Sequence, residues 1–273
     1  MPSRKNLSLY YESRYRLDYK GVQEPKLKHV YRAGRLAVQR LKTLRPYIWN
    51  GCPVLDIGSG GGEWIYVLQT TGFDSIGIEA DRGYSNFARR ELGVPISSMS
   101  LWEATFPAGH FGAVTLFHVL EHLPEPVECL MQITKWLKHD GTLIIEVPNI
   151  ASIHQHPHKR FHTAHLFGFT PESLQFAAKK AGFAPIHIQL DRYERNILAV
   201  FGNDSRIDRN VIATRPQPRQ IHLKSVAGYY MMPQTYVRFF QRMCQFGYEM
   251  SAVWASKSAK EVLDSLVELD NHR

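Results

Sequence analysis

The sequence predicts an α/β fold: a mostly parallel sheet of seven strands with an antiparallel last strand, helices on both faces, and helical N- and C-terminal extensions. Three observations lead there. From residue 50 to residue 202, short apolar runs alternate with helix-like stretches, the pattern of parallel strands joined by crossover helices. The first run, Val54-Leu55-Asp56-Ile57, enters the glycine-rich turn Gly58-Ser59-Gly60-Gly61-Gly62 before helix-forming residues begin at Glu63. The last two runs, Pro185–Leu190 and Asn196–Phe201, are separated only by Asp191–Arg195, which suits an antiparallel pair.

Each element has its own reason. Residues 1–24 mix Tyr10, Tyr11, Tyr15 and Tyr19 with arginines and show no clean period. A short helix or lid and a flexible arm both fit them. Between Pro25 and Arg45, Leu27, Val30, Tyr31, Leu36, Ala37, Val38 and Leu41 recur at helical spacing, and Pro46 with Asn50-Gly51 ends that helix. Val54–Ile57 is the first strand, Glu63–Thr71 the helix after the glycine turn, and Ser75–Glu79 the second strand. Asp81–Leu92 is a helix stopped by Gly93, and Val94–Ser98 a short third strand. The run from Phe106 to Pro126 holds the fourth strand, with His118 at its end. Val127–Leu137 is a helix, Lys138–Gly141 a turn, and Thr142–Val147 the fifth strand.

Thr170-Pro171-Glu172-Ser173 opens a helix, because Thr caps, Pro fits the first turn and the acid faces the positive helix end. Past Gly202 the alternation stops. Arg206–Gln220 reads as a linker, and a basic amphipathic segment starts near Tyr236 and continues through Phe246, Met250, Val253 and Trp254. Packing of that segment on the domain, on a second copy of the chain, or on a membrane surface stays open. The divisions expected are a basic N-terminal helical cap (1–49), the α/β domain (50–202) and a linker with a C-terminal helical extension (203–273).

Composition narrows the class. No apolar run approaches the roughly 18 residues that span a bilayer, and the polar start Met1–Asn6 has no secretory h-region behind it. Cys52, Cys129 and Cys244 are odd in number and far apart, which argues against a disulfide framework and fits a cytoplasmic location. The net charge of +8 is uneven, concentrated in residues 1–50 and again from Arg206 to Arg242. Those basic termini are either solvated faces or the contact for an anionic partner: a phosphorylated or acidic substrate, a nucleic acid or an anionic membrane.

The glycine turn is the centre of the chemistry. Glycine reaches backbone angles barred to other residues and lets N–H groups approach a ligand closely. Such a turn holds its ligand at a helix N-terminus beyond the carboxyl end of a parallel strand. The dinucleotide fingerprint G-x-G-x-x-G needs a glycine at position 63, where Glu63 stands, so an oxidoreductase is disfavoured. Glu79, the last residue of the second strand, is placed to accept both hydroxyls of a ribose.

The spacing Asp56-x-Gly58-x-Gly60-x-Gly62 resembles the first motif of the class I S-adenosylmethionine-dependent methyltransferases. The run from Phe106 through Val119-Leu120-Glu121-His122-Leu123 to Pro126, and Leu137-Lys138 through Gly141 to Pro148-Asn149, resemble the branch of that family that includes ubiquinone-type quinol, natural-product and sugar methylases. Gly112 departs from the branch, which carries an aspartate after the phenylalanine, and this puts the start of the fourth strand in doubt. The likeness spans residues 50–202 and implies a Rossmann-like sheet, S-adenosylmethionine as cofactor, and methyl transfer to a small-molecule, sugar or lipid-linked acceptor, most readily at oxygen. Asp56, Gly58, Ser59, Gly60, Gly62, Glu79, Ser100, Leu101 and His118 are then the cofactor-binding candidates.

In-line methyl displacement needs an acceptor held close to the methyl and, for a hydroxyl, a group that receives its proton. His154, His156, His158, His162 and His165 follow the fifth strand, where this fold builds its acceptor pocket. His165, just before Phe169-Thr170, matches a histidine frequent in the branch, and is the first candidate for base or acceptor-positioning group, with His162 second. A solvated polar loop is the plain alternative. No zinc spacing is present, so no metal residues are assigned. Two alternatives remain: a nucleic-acid methyltransferase using the basic termini, and an inactive cofactor-binding scaffold. Against the first, His118-Val119-Leu120-Glu121 stands where base-amine methylases carry Asn/Asp-Pro-Pro-Tyr. A homodimer through the C-terminal helices is a further expectation.

Overall fold

The computed structural model describes residues 4–14, 17–18, 21–156, 158, 162, 164–203, 225–256 and 258–271. The expected linker at 206–220 lies outside them. Seven strands form one sheet in the order β3-β2-β1-β4-β5-β7-β6. They are β1 (Val54–Ile57), β2 (Ser75–Glu79), β3 (Ile96–Ser98), β4 (Phe111–Phe117), β5 (Leu137–Pro148), β6 (Phe183–Leu190) and β7 (Asn196–Asn203). Strands β1 to β3 pair in parallel, whereas β7 runs antiparallel to both β5 and β6. The predicted fold class is the one observed.

The chain divides into two compact units, described in turn: residues 1–106, 111–113 and 244–273, and residues 107–110 and 114–243. In the first unit, helices α1 (Arg4–Ser13), α2 (Leu27–Leu44), α3 (Glu63–Thr70) and α4 (Arg82–Phe87, running into a π turn over Ala88–Leu92) accompany β1 to β3. Asp81 caps α4 by accepting the Tyr84 N–H at 2.9 Å. The third strand is shorter than expected because Pro95 has no N–H to donate, although its carbonyl accepts from Gly77. Gly112 now has a reason. Its N–H donates to the Pro53 carbonyl at 2.9 Å, and a Cβ there would sit 2.3 Å from Cys52 Cβ. The aspartate usual in the branch could not stand at this position without a shift.

The last helix of the C-terminal extension, α9 (Ala259–Asn271), returns to pack on α2 and α3, a packing the sequence left unspecified. Val262, Leu263 and Leu266 join Val30, Tyr31, Ile65, Tyr66, Val94 and Ile96 in one buried cluster. Gly34 permits the close approach, since a Cβ there would meet Leu263 Cδ2 at 2.2 Å. At the edge, Tyr66 donates to Asp264, and Lys42 pairs with Asp270. Arg32 grips Glu249 through two hydrogen bonds of 2.7 and 2.8 Å.

The second unit holds α5 (Pro126–Trp136), β5, α6 (Pro171–Lys180), β6, β7 and α7 (Val226–Tyr230). Thr170 caps α6 as expected, accepting the Ser173 N–H at 3.3 Å. The strand β5 begins at Leu137 rather than Thr142. The Lys138 carbonyl there accepts the Asn203 side-chain amide at 2.8 Å, and the strand runs on through Asp140-Gly141. Helix α8 (Pro233–Ala255) is continuous. No described helix is long and apolar enough to cross a membrane.

The α2–α9 contact yields a direct expectation. Leu263 is fully buried, so Leu263→Ala should destabilise the protein by about 2–5 kcal/mol, the usual cost of deleting a packed leucine side chain. Denaturant unfolding measures it, and a loss under about 0.5 kcal/mol, the range of ordinary surface changes, would show that α9 contributes no core.

Candidate active site

The glycine turn is built from backbone geometry. Gly58, Gly60 and Gly62 all take positive φ (73°, 56° and 85°), which costs glycine little and a side-chain residue much. A Cβ on Gly62 would also lie within 2.9 Å of both Val94 and Ala88. Ser59 fastens the turn, donating its hydroxyl to the Asp56 carbonyl at 2.8 Å while its N–H reaches the Ile78 carbonyl at 3.1 Å. Gly77 leaves room for that hydroxyl, because a Cβ there would stand 2.2 Å from Ser59 Oγ.

Glu79 ties this turn to the end of β2. Its Oε2 accepts the Gly60 N–H at 2.7 Å and its Oε1 the Asp81 N–H at 2.9 Å. The carboxylate is thereby fixed in orientation at the crevice end of the strand, and a carboxylate has about four acceptor positions in all. Asp56 is buried at the end of β1. Ser100 follows β3, held through its N–H and hydroxyl by Glu103 Oε2, both at 2.7 Å, and Leu101 is buried beside it. In the same unit a cavity of about 710 Å³ is lined by Tyr10 and Glu12 of α1 together with Gln23, Asp81, Arg82 and Gly83. Glu12 of α1 pairs with Arg82. The structure thus brings Asp56, Gly58, Ser59, Gly60, Gly62 and Glu79 together, with Ser100 and Leu101 on the turn after β3.

The second unit carries an imidazole–carboxylate cluster. His118 adopts a left-handed conformation (φ 57°), an uncommon one for a residue other than glycine. Its N–H donates to the Glu146 carbonyl at 2.8 Å. Its ring lies between two acids, Nε2 at 3.3 Å from Glu146 Oε1 and Nδ1 at 3.5 Å from Glu121 Oε1. Burial favours the neutral ring, but the two carboxylates outweigh it and raise His118 to about 9. Glu121 is 1% exposed, and neither of its oxygens has a hydrogen-bond partner among the described residues. Burial pushes its carboxyl up, while the His118 charge holds it lowered overall.

His122 Nδ1 meets the Ala164 carbonyl at 2.9 Å, and the Ala164 N–H donates to His162 Nδ1 at 3.1 Å. In the neutral rings this puts the proton of His122 on Nδ1 and that of His162 on Nε2. His165 meets His122 edge-on and His162 at a tilt, its centroid 4.9 Å from each ring. Burial, helped by His122, lowers His165 to about 4, so its ring is neutral at physiological pH. Glu121, His122 and His165 each bring one donor atom within 4.8 Å of the others. One acid with two imidazoles is a donor set that can hold a divalent ion.

The five histidines therefore separate. His162 and His165 join His122, whereas His154 lies against Tyr193, and His156 against Tyr229 and Tyr230. Sequence reading assigned no role to Glu121, His122, Glu146 or Arg195. The Glu121-His122 pair stood in a recognised run and could have been singled out. Glu146 could not, because only strand pairing brings it to His118.

A sheet of this order with a glycine-turn cradle and an acid at the end of β2 defines a class I S-adenosylmethionine-dependent methyltransferase, and the residues present fit that cofactor. The chain belongs to the methyltransferase-domain family, whose profile matches residues 28–188. It is 29% identical over 105 residues to the ubiquinone biosynthesis O-methyltransferase of Methylococcus capsulatus, covering 36% of this chain and 44% of that protein. The chain thus spans less than half the length of that curated relative. Among solved structures, an S-adenosylmethionine-dependent methyltransferase from Archaeoglobus fulgidus aligns with TM-score 0.55 and 20% identity, over 69% of this chain and 97% of the other. The [4+2]-cyclase SpnF aligns with TM-score 0.51 and 17% identity, over 64% and 80%. These structures share the fold.

The titrations have signs that can be checked. A raised His118 contributes stability that is fully present below about pH 6.5 and is lost as pH rises through about 9. His165, held neutral, works the other way and subtracts stability as pH falls below about 6.5 toward 4. Imidazole NMR should place the two midpoints near those values. Stability of His118→Asn should vary less than wild type between pH 6.5 and 9.5; equal slopes would remove the His118 ion pairs.

Proposed function

We propose that this chain transfers the sulfonium methyl of S-adenosylmethionine to a hydroxyl oxygen of a small-molecule, sugar or lipid-linked acceptor in the cytoplasm. The observation that carries this reading is Glu79, gripped by the N–H groups of Gly60 and Asp81 at the end of β2. That grip presents a carboxylate to a ribose beside a turn whose glycines admit a ligand to the backbone. In this reading residues 50–202 are the transfer domain, and 1–49 and 203–273 are its additions. Asp56, Gly58, Ser59, Gly60, Gly62, Ser100, Leu101 and His118 serve the cofactor.

His165 receives the acceptor hydroxyl. A ring that titrates near 4 is a weak base for a hydroxyl proton. Its role is therefore to accept a hydrogen bond and orient the oxygen, with His162 beside it. The relative's name favours an oxygen acceptor. The nucleic-acid reading is weakened by the N-terminal cations: Arg32 and Lys42 are paired with Glu249 and Asp270 of the same chain, as Arg82 and Arg90 are with Glu12 and Glu24.

A partner is inferred from α8. Tyr236, Phe239, Phe240 and Met243, in the unit that ends at residue 243, are all exposed. Their spacing of three and four residues makes one stripe that suits a matching helix of a second copy. The charged residues Arg238 and Glu249, on other faces, bond to the protein itself. Sedimentation should give a dimer that Met243→Glu converts to monomer; a wild-type monomer at high concentration rejects this pairing.

Calorimetry should show binding of S-adenosylmethionine and not of NADH. Glu79→Ala should weaken that binding by about 1–3 kcal/mol, the cost of stranding hydrogen-bond partners. Cell extract incubated with the protein and methyl-labelled cofactor should yield a labelled small product by mass spectrometry, and His165→Ala should lower its formation by about tenfold or more while cofactor affinity holds. Cofactor binding with no labelled product in any extract would favour the scaffold; labelled nucleic acid would favour the alternative enzyme.

A further inference from the structure

A second group of side chains in the 107–110 and 114–243 unit takes no part in the chemistry above. The turn between β6 and β7, Asp191–Arg195, is bolted to the chain that leaves β5. The carbonyls of Tyr193, Glu194 and Arg195 accept from Ser152 Oγ (3.2 Å), Asn149 Nδ2 (2.8 Å) and Asn149 N (2.8 Å). Glu194 is held at φ 54°, a left-handed conformation. This rigid turn half-buries Arg195, whose Nε is shut off from solvent without a hydrogen-bond partner among the described residues.

Two more arginines come from α8. Arg238 lies over the rings of Tyr193 and Tyr229, 5.3 and 5.5 Å from their centroids. It donates to the carbonyls of His154 and Gln234 and to the Tyr229 hydroxyl, all neutral acceptors. Arg242 is exposed and has no partner among the described residues. Burial and the charges of Arg242 and Arg238 lower the Arg195 pKa against the opposing pull of Asp191. Asp191 is committed elsewhere: its oxygens accept the N–H groups of Tyr193 and Arg195 at 2.9 and 2.8 Å and the Asn196 amide at 3.2 Å. The Glu194 side chain is exposed. His154 adds a second buried atom without a partner, Nδ1.

Arg238 and Arg242 thus bring their charge to bear on Arg195 beside two orphaned buried nitrogens, and the carboxylate that acts on Arg195, Asp191, is shared among three N–H donors. Like charges brought together in a half-buried place cost stability unless an anion joins them. From this arrangement we propose that Arg195, Arg238 and Arg242, with His154, form a binding site for a phosphate or pyrophosphate group. Phosphate suits it better than a carboxylate, because three forked guanidiniums offer more donors than two oxygens can use. The site adjoins Asn149 and Ser152, just past the carboxyl end of β5, the end of the sheet where such folds bind ligands. If the methyl-transfer reading holds, the anion is a phosphoryl group carried by the acceptor; anion binding itself does not depend on that reading.

The test is calorimetric titration of the full chain with sodium pyrophosphate at fixed ionic strength, with sodium chloride as control. Wild type should bind saturably, and Arg195→Gln and Arg242→Gln should each weaken binding tenfold or more without changing S-adenosylmethionine affinity. Arg242 is exposed, so its variant keeps the test valid if Arg195→Gln fails to fold. Flotation with phosphatidylglycerol vesicles separates the sources of the group. Arg242-dependent flotation points to a lipid headgroup, and pyrophosphate binding without flotation points to a soluble phosphorylated ligand. Absence of both in wild type, or binding unchanged in Arg242→Gln, overturns the proposal. Loss of cofactor binding alone would sink the methyl-transfer reading and leave this site standing.

Discussion

The cofactor side of the molecule depends on one contact, the Glu79 carboxylate held between the N–H groups of Gly60 and Asp81. It joins three pieces of chain that would otherwise be set independently: the glycine turn after β1, the end of β2 and the cap of α4. Charge-assisted hydrogen bonds from backbone N–H groups are strong and directional, so they fix the acid without help from a flexible cation. Every nearby departure from ordinary residue choice serves the same purpose. Gly60 and Gly62 reach left-handed angles, Gly77 makes room for the Ser59 hydroxyl, and Asp81 caps the helix that Glu79 steadies. The cradle is preorganised by the fold.

The second unit holds charge in a different way. His118 stands between Glu121 and Glu146 and is drawn toward its protonated form by both. On the segment between β5 and α6, His165 is pressed toward its neutral form by burial and by other imidazoles. Environments that push titratable groups in opposite directions are what acid–base chemistry requires. Here one histidine is committed to holding acids in place, and another is kept uncharged. The left-handed backbone at His118 is tolerated because the Glu146 carbonyl and two carboxylates all hold the residue there.

Much of the fold could be read from local pattern. Val54–Ile57 and Ser75–Glu79 have the bounds expected, because apolar runs ending in an acid and a turn leave little choice. Misreadings occurred where a distant group decided the outcome. Lys138–Gly141 looked like a turn, yet these residues lie inside β5, where the distant Asn203 donates to the Lys138 carbonyl. Val94 was lost from β3 through its neighbour Pro95. The packing of α9 could not be assigned because its apolar face makes sense only against α2, near the other end of the chain. The same holds for the site: the glycine turn is contiguous in sequence and legible, but the pairing of Glu146 with His118 exists only after β4 and β5 are in place.

The histidines show most sharply how spacing misleads. Five of them within twelve positions suggested one acceptor pocket, and the chain between β5 and α6 carries them to two destinations. His162 and His165 go to the carboxylate cluster, because the Ala164 peptide bridges His162 to His122. His154 goes to the tyrosines and arginines of the β6–β7 turn, because Ser152 anchors that stretch to Tyr193. The anchoring bonds are ordinary serine and asparagine contacts that no motif records. They nonetheless decide which histidine joins the carboxylate cluster and which joins the tyrosines and arginines. The placement of these side chains therefore rests on the polar residues that route the chain as much as on the titratable groups themselves.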